Sequence, residues 1–199
     1  GKRIDGHDRY FTGNFGEILV YDRALSESEI ETVEQYLGSK WGIALAGDPE
    51  ASPPDLTTGL VAHLPFDETI GIIANDVTGN GFDASLVGYD GNATWVAGKI
   101  GGALYFGDGD SGTLARPVDD VFSVSLWLKT TNKAINGNHY WRKGFLGGPE
   151  GNYAFLLNEA GKVAYVAGAY DEGFTTSASV NSGSWIHFAA SLDKATKTR

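Results

Sequence analysis

Hydrophobic residues in this chain recur at every second position over short stretches, and glycine-rich turns divide the stretches. In LVAHLPFD (60–67), Leu60, Ala62, Leu64 and Phe66 fall on one face. In FSVSLWLK (122–129) Phe122, Val124, Leu126 and Leu128 do so, and in WIHFAASL (185–192) Ile186, Phe188, Ala190 and Leu192. A period of two with one apolar face is the pattern of antiparallel strands packed sheet against sheet. YAFLLNEAGKVAYVAG (153–168) reads as a hairpin turned at Glu159-Ala-Gly161. FGEILVYD (15–22) is apolar on both alternating sets, Ile18 and Val20 against Leu19 and Tyr21, so it is expected to be buried on both faces. One segment changes period. Ser26 and Glu29 form an S-x-x-E capping box, and Ile30, Val33 and Leu37 follow at helical spacing. This predicts a helix over about 27–37, stopped by Gly38 as the residue after its end.

Residues 47–57 (GDPEASPPDLT) carry three of the six prolines and no periodicity, which marks a linker. It separates a strand and helix in 1–46 from a series of strands in 58–199. Composition agrees with an all-β domain. With 42% hydrophobic and 20% charged residues the chain is globular, and its 28 glycines suit many tight turns. The net charge of −10 argues against nucleic acid, whose phosphates it would repel. Cys is absent, which excludes disulfides and thiolate metal sites, and no apolar run reaches membrane-spanning length, so no membrane insertion is expected. The sequon Asn92-Ala-Thr94 is short enough to arise by chance.

Five segments in fixed order, GLVAHLPFDE (59–68), DVTGNGFDASL (76–86), GKIGGALYFGD (98–108), FSVSLWLKT (122–130) and GSWIHFAASLD (183–193), resemble the laminin-G-like, concanavalin-A-like jelly-roll family. YDRALSESEIETVEQYLGSKWGI (21–43) resembles the carboxyl end of such a domain, where a final strand runs into a short helix. The resemblance implies an all-β antiparallel sandwich of jelly-roll type, with 1–46 as the tail of one repeat and 58–199 as most of the next, lacking its last strands. In such jelly rolls the first and last strands lie side by side, so 1–46 is expected either to complete 58–199 or to belong to a longer array. Completion would make tail and head one folding unit, within one chain or swapped between two copies. The family implies a non-catalytic, extracellular or cell-surface recognition module, with a glycan or polysaccharide as ligand. The alternative is a structural or adhesive repeat with a protein interface.

Candidate chemistry follows these expectations. Sugar binding needs aromatic faces for C–H groups and fixed polar groups for hydroxyls. Asn138, Tyr140, Trp141 and Arg142, then Tyr170 and Asp171, supply both. Trp127, Trp185 and His187 lie inside strand patterns and read as structural, and His63 as a surface or second-sheet residue. Asp76-Val-Thr-Gly-Asn80 resembles a family turn near a structural calcium in some members, and Asp67 ends the preceding strand. Carboxylate and amide oxygens in a glycine turn suit a hard cation, so Asp67, Asp76 and Asn80 are candidate Ca2+ ligands. Gly16 stands where the family often has an Asp near the metal. GDGDSG (107–112) fits a dinucleotide fingerprint, but no helical pattern follows it and its aspartates would repel phosphate. The carboxylate triplet of the glycosidases sharing this sandwich does not occur, so no enzyme activity is expected.

Overall fold

A computed structural model describes residues 11–41, 57–99, 101–107, 109–115, 121–132, 143–147, 153–167 and 171–193. In chain order the elements are β1 (Gly13–Tyr21), α1 (Glu27–Trp41), β2 (Leu60–Leu64), β3 (Ile73–Ala74), β4 (Ala84–Val87), β5 (Thr94–Ala97), β6 (Gly102–Phe106) and β7 (Ser111–Thr113). They continue with β8 (Val121–Lys129), β9 (Lys143–Gly147), β10 (Tyr153–Leu157), β11 (Lys162–Ala167), β12 (Asp171–Ser179) and β13 (Trp185–Asp193). The fold is all-β and antiparallel, with one helix among the described residues.

One sheet has the order β13-β8-β1-β6-β5, with β2 also paired to β1. A second sheet runs β12-β11-β10-β9, and a small one β3-β4-β7. The main core lies between them. Ile18 of β1, Val124, Leu126 and Leu128 of β8, and Phe188 and Leu192 of β13 pack with Phe155, Leu157 and Val163 of the second sheet and with Ala84 and Leu86 of the small one. The alternating positions of 122–128 and 186–192 therefore face the core as their period demands. The hairpin forms as well, as β10 paired with β11. Asn158 Oδ1 accepts from the backbone N–H groups of Ala160 and Lys162, and Gly161 takes a positive φ of 69° that closes the turn.

Strand β1 is buried on both sides, as its composition requires. Gly16 is the extra residue of a bulge, since Phe15 pairs with Leu128 and Glu17 with Trp127. The bulge lets Phe15 and Ile18, three apart, share the core face. It also turns Glu17, Leu19 and Tyr21 to the opposite face, where α1 lies. There Leu19, Tyr21 and Trp127 pack with Val33 and Leu37 of the helix in a second, smaller core. Two expectations are corrected here. A register shift in β2 sets Val20 against Ala62 but Tyr21 against Leu60, so Leu60 packs on the helix side and not with Leu64 and Phe66. The helix also does not stop at Gly38. It runs through that buried glycine to Trp41, which carries Lys40 to a partner on β1. Interior glycine costs about 1 kcal/mol against alanine, and the turn beyond it gains the Lys40 contact to Glu17.

Helix α1 starts as its capping box specifies. The Ser26 N–H donates to Glu29 Oε2 at 2.8 Å, and the Glu29 N–H reaches back to Ser26 Oγ at 3.4 Å. Arg23 clasps the same carboxylate through two nitrogens at 2.9 and 2.7 Å. The Arg23 guanidinium, helped by Ser26, holds the Glu29 carboxyl down at about 2.

Candidate functional site

Polar chemistry concentrates on the helix-facing side of the large sheet. At its centre is Glu17, fully buried in β1. Lys40 Nζ in the last turn of α1 donates to Glu17 Oε1 at 2.8 Å, and His63 Nε2 in β2 donates to the same oxygen at 2.7 Å. Burial pushes the carboxyl upward, but the His63 and Lys40 hydrogen bonds outweigh it and the pKa ends below its usual value. Burial opposes the Lys40 charge in turn, and the Glu17 hydrogen bond more than restores it, raising the ammonium pKa. Three elements far apart in sequence are thus pinned at one oxygen. His63, read from the sequence as a surface or second-sheet residue, lies on the helix side and is mostly buried.

A second polar group holds the segment that enters the helix. Ser123 Oγ on β8 accepts from the Leu25 N–H at 2.9 Å, donates to the Arg23 carbonyl at 2.9 Å, and lies 2.7 Å from Ser191 Oγ of β13. Beside it, Ser125 Oγ and His187 Nε2 share a hydrogen bond of 2.8 Å, and Glu34 Oε1 stands 3.9 Å from His187 Nδ1. The order serine, histidine, carboxylate is that of a hydrolytic triad, but the geometry is not. The 3.9 Å gap exceeds hydrogen-bond reach. Ser125 is buried, and the adjoining cavity of about 10 Å³ between sheet and helix is at the threshold for a single water. Burial brings the His187 imidazole down to about 4, so it is neutral near neutral pH. It packs against Trp127 at 5.4 Å between ring centroids.

The turn after β3 is held by another carboxylate. Asp76 is buried and accepts from the backbone N–H groups of His63 at 3.0 Å, Thr78 at 3.0 Å and Phe82 at 3.2 Å, with the Thr78 hydroxyl at 2.7–2.8 Å from both its oxygens. Burial acts to raise its pKa, and these donors together lower it. Asn80 donates through Nδ2 to the Val61 carbonyl at 3.1 Å, which ties the turn to β2. Asp67 is engaged elsewhere: its Oδ1 accepts the Gly102 N–H at 2.7 Å. Gly102 permits that approach because a Cβ there would run into the Phe66 carbonyl. Among the described residues no three His, Cys, Asp or Glu side chains gather into a metal-binding group. Calcium at this turn would have to take Asp76 from donors that already surround it.

Asp76→Ala is expected to destabilise the fold by about 2–4 kcal/mol, because several buried N–H groups lose their acceptor together. Urea unfolding of the two proteins checks this, and repeating it in millimolar calcium and in chelator separates the hydrogen-bonded lock from a cation site. Because the Asp76 pKa is depressed in the fold, its contribution is present above the unfolded value of about 3.9 and is lost as pH falls through the folded one.

Asn138, Tyr140, Trp141, Arg142 and Tyr170 lie outside the described residues, and Asp171 is described only as the first residue of β12. The strands bordering them are placed. Lys143, which follows Arg142, pairs with Leu157, and Leu157 with Val163, at one end of the second sheet. Asp171 pairs with Ala167, and Ala167 with Tyr153, at the other end. The four steps from Tyr153 to Leu157 put about 13 Å along the strand between these two levels. GDGDSG runs into strand β7, not a helix, and Asp110 Oδ2 accepts the Gly107 N–H at 2.7 Å to close that turn. Aliphatic side chains are exposed around β3 and β4: Ile70, Ile72, Ile73, Val77 and Val87, with Ile70 at 77%. No helix among the described residues is long and apolar enough to cross a membrane.

The sequence reading did not single out Glu17. The available signal was a lone carboxylate inside a two-sided apolar strand, which must either find partners or destabilise the fold. Comparison with protein-family models, with curated proteins and with solved structures found no match for this chain.

Proposed function

We propose that this chain is a non-catalytic recognition module of an extracellular or cell-surface protein, built on a jelly-roll sandwich of the laminin-G-like kind, and that its ligand is carbohydrate. The observation that carries the reading is how the described polar groups are used. Glu17, His63, Asp76 and Ser123 each hold one element against another, Glu29 caps α1, and Ser125 is buried beneath the helix with its hydroxyl bonded to His187. Recognition then falls to surface side chains. The aromatic and polar residues of 138–142, which precede β9 in sequence, and Tyr170 with Asp171, the first residue of β12, have the chemistry for sugar rings and hydroxyls.

A glycan array followed by calorimetry tests the proposal. Tyr140→Ala or Trp141→Ala is expected to weaken binding of a selected glycan at least tenfold without changing the melting temperature. The separation of Lys143 from Asp171 makes Tyr170→Ala a separate test of the other sheet end. Failure to bind any glycan overturns the carbohydrate reading, and binding untouched by all three variants overturns the assignment of the site to 138–142 and 170–171. The exposed aliphatic group around Ile70, Ile73 and Val87 favours a second reading, a protein-interface repeat. Silence on the array, with concentration-dependent association abolished by Ile70→Lys, selects it.

A further inference from the structure

We infer that the slot between β8 on one side and β2 with β6 on the other is a docking site for a strand followed by a helix, and that a second copy of this chain can fill it with its own residues 11–41. The inference is independent of the ligand proposed above.

The slot is defined by what sits in it. Strand β1 pairs on both sides at once: Ile18 with Leu64 and Leu126, Leu19 with His63 and Ser125, Val20 with Ala62 and Val124. Further along, Asn14 pairs with Tyr105 of β6 and Lys129 of β8. Beyond these ladders the slot has its own polar chemistry. His63 offers an N–H to a buried carboxylate, Ser123 reads the backbone at Arg23 and Leu25, and the Thr130 hydroxyl donates to the Thr12 carbonyl at 2.6 Å. The Gly59 carbonyl takes the Asp22 N–H at 3.0 Å. The slot thus selects a strand with a carboxylate at the Glu17 position and a helix after it, which 11–41 supplies.

The covalent link between this insert and the rest is the stretch 42–56. Its fifteen residues could reach about 50 Å when extended. Each contact named above is the same whether the insert comes from the same chain or from another. Only effective concentration separates the two arrangements: for a chain's own insert it is set by the length of the tether, on the order of millimolar, and for a second copy it is the protein concentration. Dilute refolding therefore favours self-insertion, and concentrated refolding favours exchange between two copies. Because β1 is an inner strand, leaving the slot requires near-global unfolding, so each arrangement persists once formed.

The chain lacks cysteine, so two introduced thiols report on the seating without interference. Asn14→Cys with Lys129→Cys places them at paired positions of β1 and β8, and Lys129 is exposed. The doubly substituted chain is unfolded, refolded at micromolar and at near-millimolar concentration, oxidised, and run on a non-reducing denaturing gel. The expected result is an internally bridged monomer from dilute refolding and a bridged dimer that grows with refolding concentration. Internal bridges at both concentrations, no bridge at either, or equal dimer from the single-cysteine variants would each overturn the inference. Sedimentation of the unsubstituted chain, refolded concentrated and then diluted, is a second measurement. A dimer that persists after dilution supports exchange, and a monomer throughout contradicts it.

Discussion

Removing residues 1–41 is expected to leave the remainder insoluble or aggregated, not a smaller stable domain. Strand β1 is the joint of the large sheet, because β8 pairs with it on one side and β2 and β6 on the other. Without it, two inner strand edges open along an apolar face, the arrangement most prone to association. The lost burial is large. Phe15, Ile18, Leu19, Val33 and Leu37 are all buried, and at roughly 1.5–3 kcal/mol each they contribute about 8–15 kcal/mol before ordering entropy. That is the size of a domain's whole net stability. Expression of 42–199, with solubility, sedimentation and a melting curve, checks the result. A soluble monomer melting like the full chain would show that β1 and α1 are accessories.

The second large effect is expected at Glu17. Glu17→Ala should cost about 3 kcal/mol, the lower end of the range for breaking a buried ion pair, because Lys40 and His63 retain some exposure and can recover water. Glu17→Gln keeps an acceptor for both donors and should cost clearly less. The loss should be greatest at α1, whose last turn Lys40 tethers, so helical signal should fall earlier in urea than in the parent. Acidification weakens the same region for two reasons of one sign. The Glu17 pKa is depressed in the fold, so its contribution exists above the unfolded value of about 4.3 and disappears as pH falls through the folded one. His187 is held neutral by burial, with a folded pKa of about 4 against an unfolded value of about 6.5. Between those limits the unfolded chain binds the extra proton, so stability falls as pH drops from 6.5 towards 4. His187→Gln should flatten that slope, and urea midpoints across this range in both proteins measure it.

The strands were legible because a single apolar face writes itself into the chain with a period of two. Phe122 to Leu128 and Ile186 to Leu192 needed nothing more. The capping box at Ser26 and Glu29 was legible because its partners are three residues apart. What defeated the reading was the single inserted residue and the distant partner. The bulge at Gly16 and the register shift beside Val61 each reverse the alternation that follows, and that reversal is written in the neighbouring strand. Leu60 changed faces for this reason. Gly38 looked like a stop because local propensity favours one there, but Lys40 beyond it has a partner 23 positions away in sequence. Glu17 and His63 are 46 apart, so neither could reveal the other. The turn at Asp76 was legible as an oxygen-rich turn. Its donors from His63 and Phe82 were not, since they depend on β2 lying beside it.

Strand β1 and helix α1 are expected to open and close as one cooperative unit with the strands around them. Native-state hydrogen exchange distinguishes one unit from two, because it reports the free energy of opening at each amide. The most protected amides of β1, around Leu19, should exchange with the same free energy and urea dependence as those of β8 around Leu126. If the β1 amides exchange through an opening several kcal/mol easier than that of β8, the insert is a separable attachment and not part of one cooperative unit.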